Sequence, residues 1–96
     1  MIIGHQVYRK AEQVVHRRIA EKDVLIPIAQ QLGDLQNIFS INEVAAFIYE
    51  QVDGRRTATQ ICELLAVRCD VPLASIEADV LGYMAELAEM DLIRSA

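Results

Sequence analysis

Cysteine and glycine are scarce in this sequence, and their positions argue against two kinds of site. The two cysteines, Cys62 and Cys69, are seven residues apart in a helical pattern. At about 1.5 Å of rise per residue they would lie about 10 Å apart, too far for a disulfide, so we interpret both as small buried apolar residues. The four glycines are isolated from one another, which leaves no glycine-rich loop to hold a phosphate.

Long apolar runs are also missing. The longest run, from Val24 to Ala29, is far shorter than the roughly 20 residues of a membrane-spanning helix. The first ten residues lack the apolar stretch of a secretory signal peptide. We therefore expect a cytoplasmic protein with no membrane partner.

Basic residues are outnumbered: nine Lys and Arg stand against fourteen Asp and Glu, for a net charge of −5. Nucleic-acid binding requires several phosphates to be neutralised. The segment from Asp70 to Ala96 alone holds six acids and one base, Arg94. A winged helix-turn-helix regulator that binds DNA is therefore only an alternative, and we expect no nucleic-acid partner.

Groups for catalysis or metal binding are few. His5 and His16 have no partner at the spacing of a metal site, and Cys62 and Cys69 do not form a C-x-x-C pair. No nucleophile with an adjacent base can be recognised. We therefore predict a protein that is not an enzyme and that has no metal and no cofactor.

The first half of the chain predicts a small sheet. Residues 1–13 show no periodicity and are expected to form a loosely ordered N-terminal arm, so the domain proper would span residues 14–96. The Val- and Ile-rich stretch 14–28, divided by polar residues 21–23, predicts a hairpin. A third strand is predicted over Leu35–Ile41.

After Ile41 the hydrophobic period lengthens to that of helices, over about residues 42–52, 57–69 and 73–90. Ser40 or Asn42 could cap the first helix, and Thr57 with Gln60 forms a capping box for the second. The predicted class is α+β and winged helix-turn-helix-like: a three-stranded N-terminal antiparallel sheet packed on three helices.

Two features of this arrangement favour peptide binding. Apolar residues of the third helix cover an arc of about 180°, wider than the roughly 100° stripe that a core requires, so one flank could stay open. Beside it, the third strand could offer a free edge to which an extended peptide adds as a strand. The same edge could instead be an interior strand or pair with a second copy of the chain, which would give a homodimer.

The sequence resembles the PqqD-like family of coenzyme PQQ synthesis protein D domains, which are peptide recognition elements for ribosomally made, modified peptides. The resemblance covers roughly residues 14–93. It rests on the step Phe39-Ser40-Ile41-Asn42, the pair Ile48-Tyr49, Asp53-Gly54 with Thr57 three residues on, and Asp79-Val80 leading to Glu86-Leu87.

The resemblance implies that the leader segment of a precursor peptide docks on the third strand beside the third helix. It also implies presentation to a modifying enzyme, often a radical S-adenosylmethionine (SAM) protein, without catalysis by the domain itself. The alternatives are the DNA-binding regulator and a structural dimer subunit without a peptide ligand. The predicted peptide-binding residues lie on these two elements: Leu35, Gln36, Asn37, Ile38, Phe39, Ser40, Asp79, Leu81, Tyr83, Met84 and Glu86.

Overall fold

The computed structural model describes residues 2–12, 14–27 and 39–96. A three-stranded antiparallel sheet has the order β2-β3-β4, formed by Val14–Ile19, Lys22–Pro27 and Phe39–Ile41. Three helices follow: α1 (Glu43–Gln51), α2 (Ala58–Cys69) and α3 (Leu73–Glu89). A second sheet pairs β1 (Tyr8–Lys10) with β5 (Ile93–Ser95). The predicted α+β class, with its three-stranded sheet and three helices, is confirmed.

The hairpin of β2 and β3 turns one residue earlier than the sequence suggested. Ile19 pairs with Lys22, so the two loop residues are Ala20 and Glu21, with φ angles of 52° and 68°. Positive φ at both central positions defines a type I′ turn, which matches the twist of the flanking strands. Neither residue is one that favours this turn, which is why the polar run at 21–23 misplaced it. Pro27, without an N–H to donate, stands at the end of β3 as expected.

Local capping signals place the helices correctly. Of the two candidates for α1, Asn42 is the N-cap, because its Oδ1 accepts the Ala45 N–H at 2.8 Å. Thr57 and Gln60 form both hydrogen bonds of the capping box of α2. These bonds satisfy backbone donors that the first turn of a helix leaves free.

The expected loose arm over residues 1–13 needs correction for the described residues 2–12. Tyr8 to Lys10 pair with β5, and the side chains of Ile2, Tyr8 and Ala11 are buried. The carbonyls of Gly4 and Gln6 accept the Thr59 and Ala58 N–H groups at the start of α2. The segment is therefore held by pairing with β5 and by hydrogen bonds from the first backbone N–H groups of α2. Both partners lie far from this segment in sequence.

The core lies between the sheet and the helices. Its fully buried side chains come from every layer: Leu25, Ile48, Tyr49, Val52, Ile61, Cys62, Val80, Met84, Leu87, Leu92 and Ile93. Cys62 is buried as predicted, and burial raises the pKa of its thiol. Cys69, at the end of α2, is exposed, which corrects the prediction that both cysteines are buried.

Candidate functional site

β4 lies at the margin of the three-stranded sheet, and no described strand pairs with its outer side. The backbone groups that face outwards can be derived from the hairpin. In a two-residue type I′ hairpin, the residues that flank the turn, here Ile19 and Lys22, form a hydrogen-bonded pair. Hydrogen-bonded and non-bonded pairs alternate along antiparallel strands. Lys22 and Val24 therefore direct their backbone groups towards β2.

The intervening residues of β3, Asp23 and Leu25, consequently direct their N–H and C=O groups towards β4. Their partners in the register are Ile41 and Phe39, which form the hydrogen-bonded pairs of the β3–β4 ladder. Ser40, between them, turns its N–H and C=O away from β3. Among the described residues nothing pairs with the outward N–H and C=O of Ser40, which is exposed.

α3 faces this margin with a half-open stripe. Asp79, Tyr83, Glu86 and Met90 follow at intervals of four, three and four residues, and so lie on one face of the helix. A different face carries the fully buried core residues Val80 and Met84, and Leu87, 2% exposed, lies between that face and the stripe at the floor of the groove. The wide apolar arc of α3 is therefore divided: one part packs into the core and its flank remains accessible.

A groove runs between β4 and α3. Its end beside the β4–α1 junction has a volume of ≈ 160 Å³, and its continuation along α3 measures ≈ 410 Å³. Both parts share Tyr83 and Glu86. The remaining lining residues are Ser40, Ile41, Asn42, Ala45, Leu87 and Met90 in the first part and Ala78, Asp79 and Gly82 in the second.

Asn42 ties the two walls of the groove together. Its Oδ1 caps α1 through Ala45, while its Nδ2 donates to the Tyr83 hydroxyl oxygen at 3.0 Å. Because the Tyr83 hydroxyl oxygen accepts this bond, its own proton remains able to donate to another acceptor. One amide thereby joins the end of the free strand, the start of α1 and the exposed face of α3.

A second polar cluster lies between the sheet and α1. His16 Nε2 lies 2.9 Å from Asp23 Oδ1, and the His16 ring meets the Tyr49 ring edge-on. Lys10 Nζ donates to the Val52 carbonyl at 2.8 Å and lies 5.3 Å from the centre of the Tyr49 ring. Burial lowers the pKa of Lys10 and raises that of Tyr49. These contacts join β2, β3 and the C-terminal end of α1.

No group of three potential metal ligands occurs among the described residues. The same part of the chain contains no helix that could cross a membrane. The exposed stripe of α3 carries the carboxylates Asp79 and Glu86, whose charge opposes contact with the phosphates of DNA.

The predicted site residues divide into three groups. Ser40, Asp79, Tyr83 and Glu86 line the groove, and Phe39 lies on β4 with its side chain half-buried against the core. Met84 is fully buried and Leu81 packs against the core on another face of α3; neither lines the groove, which corrects their assignment to it. The predicted positions outside the described residues are Leu35, Gln36, Asn37 and Ile38.

Sequence reasoning missed seven groove residues: Ile41, Asn42, Ala45, Ala78, Gly82, Leu87 and Met90. Met90 could have been found, since it repeats the Asp79–Tyr83–Glu86 spacing one step further along the helix. Ala45 could not, because its exposure to the groove depends on how closely α1 approaches α3.

Comparison with known proteins identifies the family. The family described as coenzyme PQQ synthesis protein D (PqqD) matches residues 20–93. The chain belongs to the PqqD family. A PqqA binding protein of Xanthomonas oryzae pv. oryzae is 34% identical over 59 residues, which are 62% of this chain and 64% of that protein. The chain thus matches less than two thirds of this relative's length.

Two other relatives extend the comparison. The bifunctional coenzyme PQQ synthesis protein C/D of Methylorubrum extorquens is 37% identical over 54 residues, 56% of this chain and 14% of that protein. The solution structure of the PqqD part of Methylobacterium extorquens PqqCD, described as a stand-alone recognition element for ribosomally synthesized and post-translationally modified peptides, has a TM-score of 0.77. It is 29% identical, and the alignment covers 98% of this chain and 95% of that one.

A second solved structure, TbiB1 in complex with the TbiA(beta) leader peptide, shares the fold of this PqqD-family domain. Its TM-score is 0.69 at 20% identity, with 90% of this chain and 94% of that chain aligned. The three-stranded sheet and three helices therefore recur in proteins of low sequence similarity.

Proposed function

We propose that this PqqD-family domain is a non-catalytic peptide-binding chaperone, which captures the leader segment of a ribosomally made precursor peptide by strand addition to β4. The observation that carries the proposal is the outward N–H and C=O of Ser40, which no other described residue pairs with, beside the groove of α3. Strand addition supplies affinity through backbone hydrogen bonds, while pockets for alternate side chains supply specificity.

The groove has the lining that such a peptide needs. Ile41, Leu87 and Met90 offer apolar contacts, and the Tyr83 hydroxyl can donate to a peptide carbonyl. In an antiparallel added strand, the residue opposite Ser40 would exchange two backbone hydrogen bonds with it. The neighbours of that residue would point towards the helices, into the groove.

The relatives support this proposal and suggest its context. A PqqA binding protein and a recognition element for modified peptides are similar to this chain, so the precursor would be PqqA or the precursor of a related pathway. The bound leader would be presented in the cytoplasm to a modifying enzyme, a radical SAM protein in our proposal. Fusion of a PqqD segment to PqqC in Methylorubrum extorquens agrees with action beside another protein of the same pathway.

Replacing Ser40 by proline tests the proposal, because proline removes the outward N–H and adds a ring at the free margin. The matched control is Ser40→Ala, which keeps the N–H and loses only the hydroxyl. The probes are the synthetic PqqA peptide of Xanthomonas oryzae and synthetic peptides for every short open reading frame near this chain's own gene, with Kd measured by isothermal titration calorimetry.

We expect Ser40→Ala to bind the peptide like the original chain and Ser40→Pro to bind about tenfold more weakly or not at all, since a lost hydrogen bond contributes about 1 kcal/mol before any steric effect. Thermal unfolding should show both variants folded, because the bonds to β3 come from Phe39 and Ile41. Equal binding by folded Ser40→Pro and Ser40→Ala would refute strand addition at this margin. Failure of all of these peptides to bind the original chain would refute the proposed function.

A further inference from the structure

The part of the groove beside the β4–α1 junction combines two kinds of lining. Its walls are apolar or aromatic at Ile41, Leu87, Met90 and Tyr83, yet a carboxylate, Glu86, stands among them. Its volume of ≈ 160 Å³ is of the size of one large side chain. A purely apolar side chain would leave Glu86 without a partner at the rim. An acidic side chain would be repelled by it.

The described part of the chain does not neutralise this charge. No ion pair to Glu86 or Asp79 occurs among the described residues, and the segments left undescribed contain no lysine, arginine or histidine. The surface at the turn end of the hairpin, which also includes Ser40, Ile41 and Asn42, carries Glu21 and Glu43 beside one base, Lys22.

The register identifies which peptide position meets this lining. Ile41 shares a face of the sheet with Phe39 and Leu25, the face that packs on the helices. In an antiparallel added strand, the peptide residue opposite Ile41 lies on the same face. Its side chain consequently enters the groove near Leu87, Met90 and Glu86.

Resting on the proposed function, we infer that the peptide carries an arginine or lysine at the position opposite Ile41. The aliphatic part of that side chain packs against Ile41, Leu87 and Met90, and its charged end reaches Glu86 at the rim. An arginine can in addition stack on the Tyr83 ring. Glu86 is then a specificity-determining residue. Asp79, seven residues earlier on the same face of α3, strengthens the attraction of the groove for the basic side chain.

The test neutralises Glu86 without changing its shape, as Glu86→Gln. The matched control is Glu77→Gln, which removes the same charge from α3 nine residues away, on the opposite side of the helix. The probe is the precursor peptide that binds in the experiment above, made also as a set in which each arginine or lysine in turn is replaced by norleucine. Kd is measured for every pair at low and at physiological salt.

We expect Glu86→Gln to weaken binding about 3- to 10-fold, as for a partly exposed charge pair, and Glu77→Gln to leave it unchanged. For one norleucine peptide, Glu86→Gln should have no further effect, because the pair is already broken. Added salt should reduce the difference in Kd between the original chain and Glu86→Gln.

The inference is overturned if Glu86→Gln binds like the original chain, if the loss is equal for every peptide of the set, or if the binding peptide has no basic residue. These results leave the proposed function standing as long as Ser40→Pro binds at least about tenfold more weakly than Ser40→Ala. If Ser40→Pro and Glu86→Gln both bind the peptide like the original chain, both proposals are refuted: strand addition to β4 and the pairing of a basic peptide residue with Glu86.

Discussion

Gly82 provides a prediction in which stability and binding change in opposite directions. It lies in the interior of α3 and lines the groove, and a Cβ added to it would meet no heavy atom within 4 Å. Glycine within a helix is less favourable than alanine by about 0.8–1.0 kcal/mol. Gly82→Ala should therefore stabilise the fold by about that amount, which raises the Tm of a domain of this size by about 3–6 °C.

The same Cβ projects into the space where we place the peptide, so Gly82→Ala should bind it more weakly, and the bulkier Gly82→Leu should bind it far more weakly while remaining folded. Thermal and urea unfolding measure the first effect, and calorimetric titration with the precursor peptide measures the second. If Gly82→Ala is no more stable than the original chain, the Cβ meets a group that the geometry does not show. If Gly82→Leu binds normally, the peptide does not occupy this part of the groove.

Two further predictions concern the fold. Replacing Ala20-Glu21 by Asn-Gly, the preferred type I′ pair, should raise the free energy of unfolding by about 1 kcal/mol; an unchanged urea midpoint would contradict the assigned turn. Asp53 accepts the N–H groups of Arg55 and Arg56, which lower the pKa of its carboxyl from the ordinary 3.8, so its charge contributes stability above pH 3.8 that is lost as pH falls through the lowered value. Asp53→Asn should therefore be less stable than the original chain at pH 7, and urea unfolding should show the two converge at low pH; a constant difference would contradict the pKa assignment.

Features that depend on nearby residues were predictable from the sequence. The cap at Thr57 and the end of β3 at Pro27 both follow from residues within a few positions. The pairing of Tyr8 with Ser95 was not predictable, because no local pattern in three residues indicates a partner at the other end of the chain. The turn at Ala20 was misplaced because residues of ordinary propensity adopt the left-handed conformation there under the constraint of strand pairing.

The sequence predicted that α3 contributes to the site, but not which face of α3 lines the groove. The periodicity of α3 showed that its apolar arc was too wide, yet it could not show which half the other helices cover. Tyr83 and Met84 differ by one position, and the packing of α1 and α2 decides that one is accessible and the other fully buried. The acidic stripe was predictable because charged side chains rarely face a core.

The double hydrogen bonding of Asn42 bears on the energetics of recognition. Its amide fixes the distance between β4 and α3 at one end of the groove before a peptide binds. This end of the groove is therefore preorganised for the peptide. The conformational entropy of this end of the groove is lost when the domain folds, so it is not lost again when the peptide binds. Most of the conformational entropy lost on binding would then be that of the peptide. Rigidifying the peptide in an extended conformation should therefore increase affinity more than rigidifying the domain.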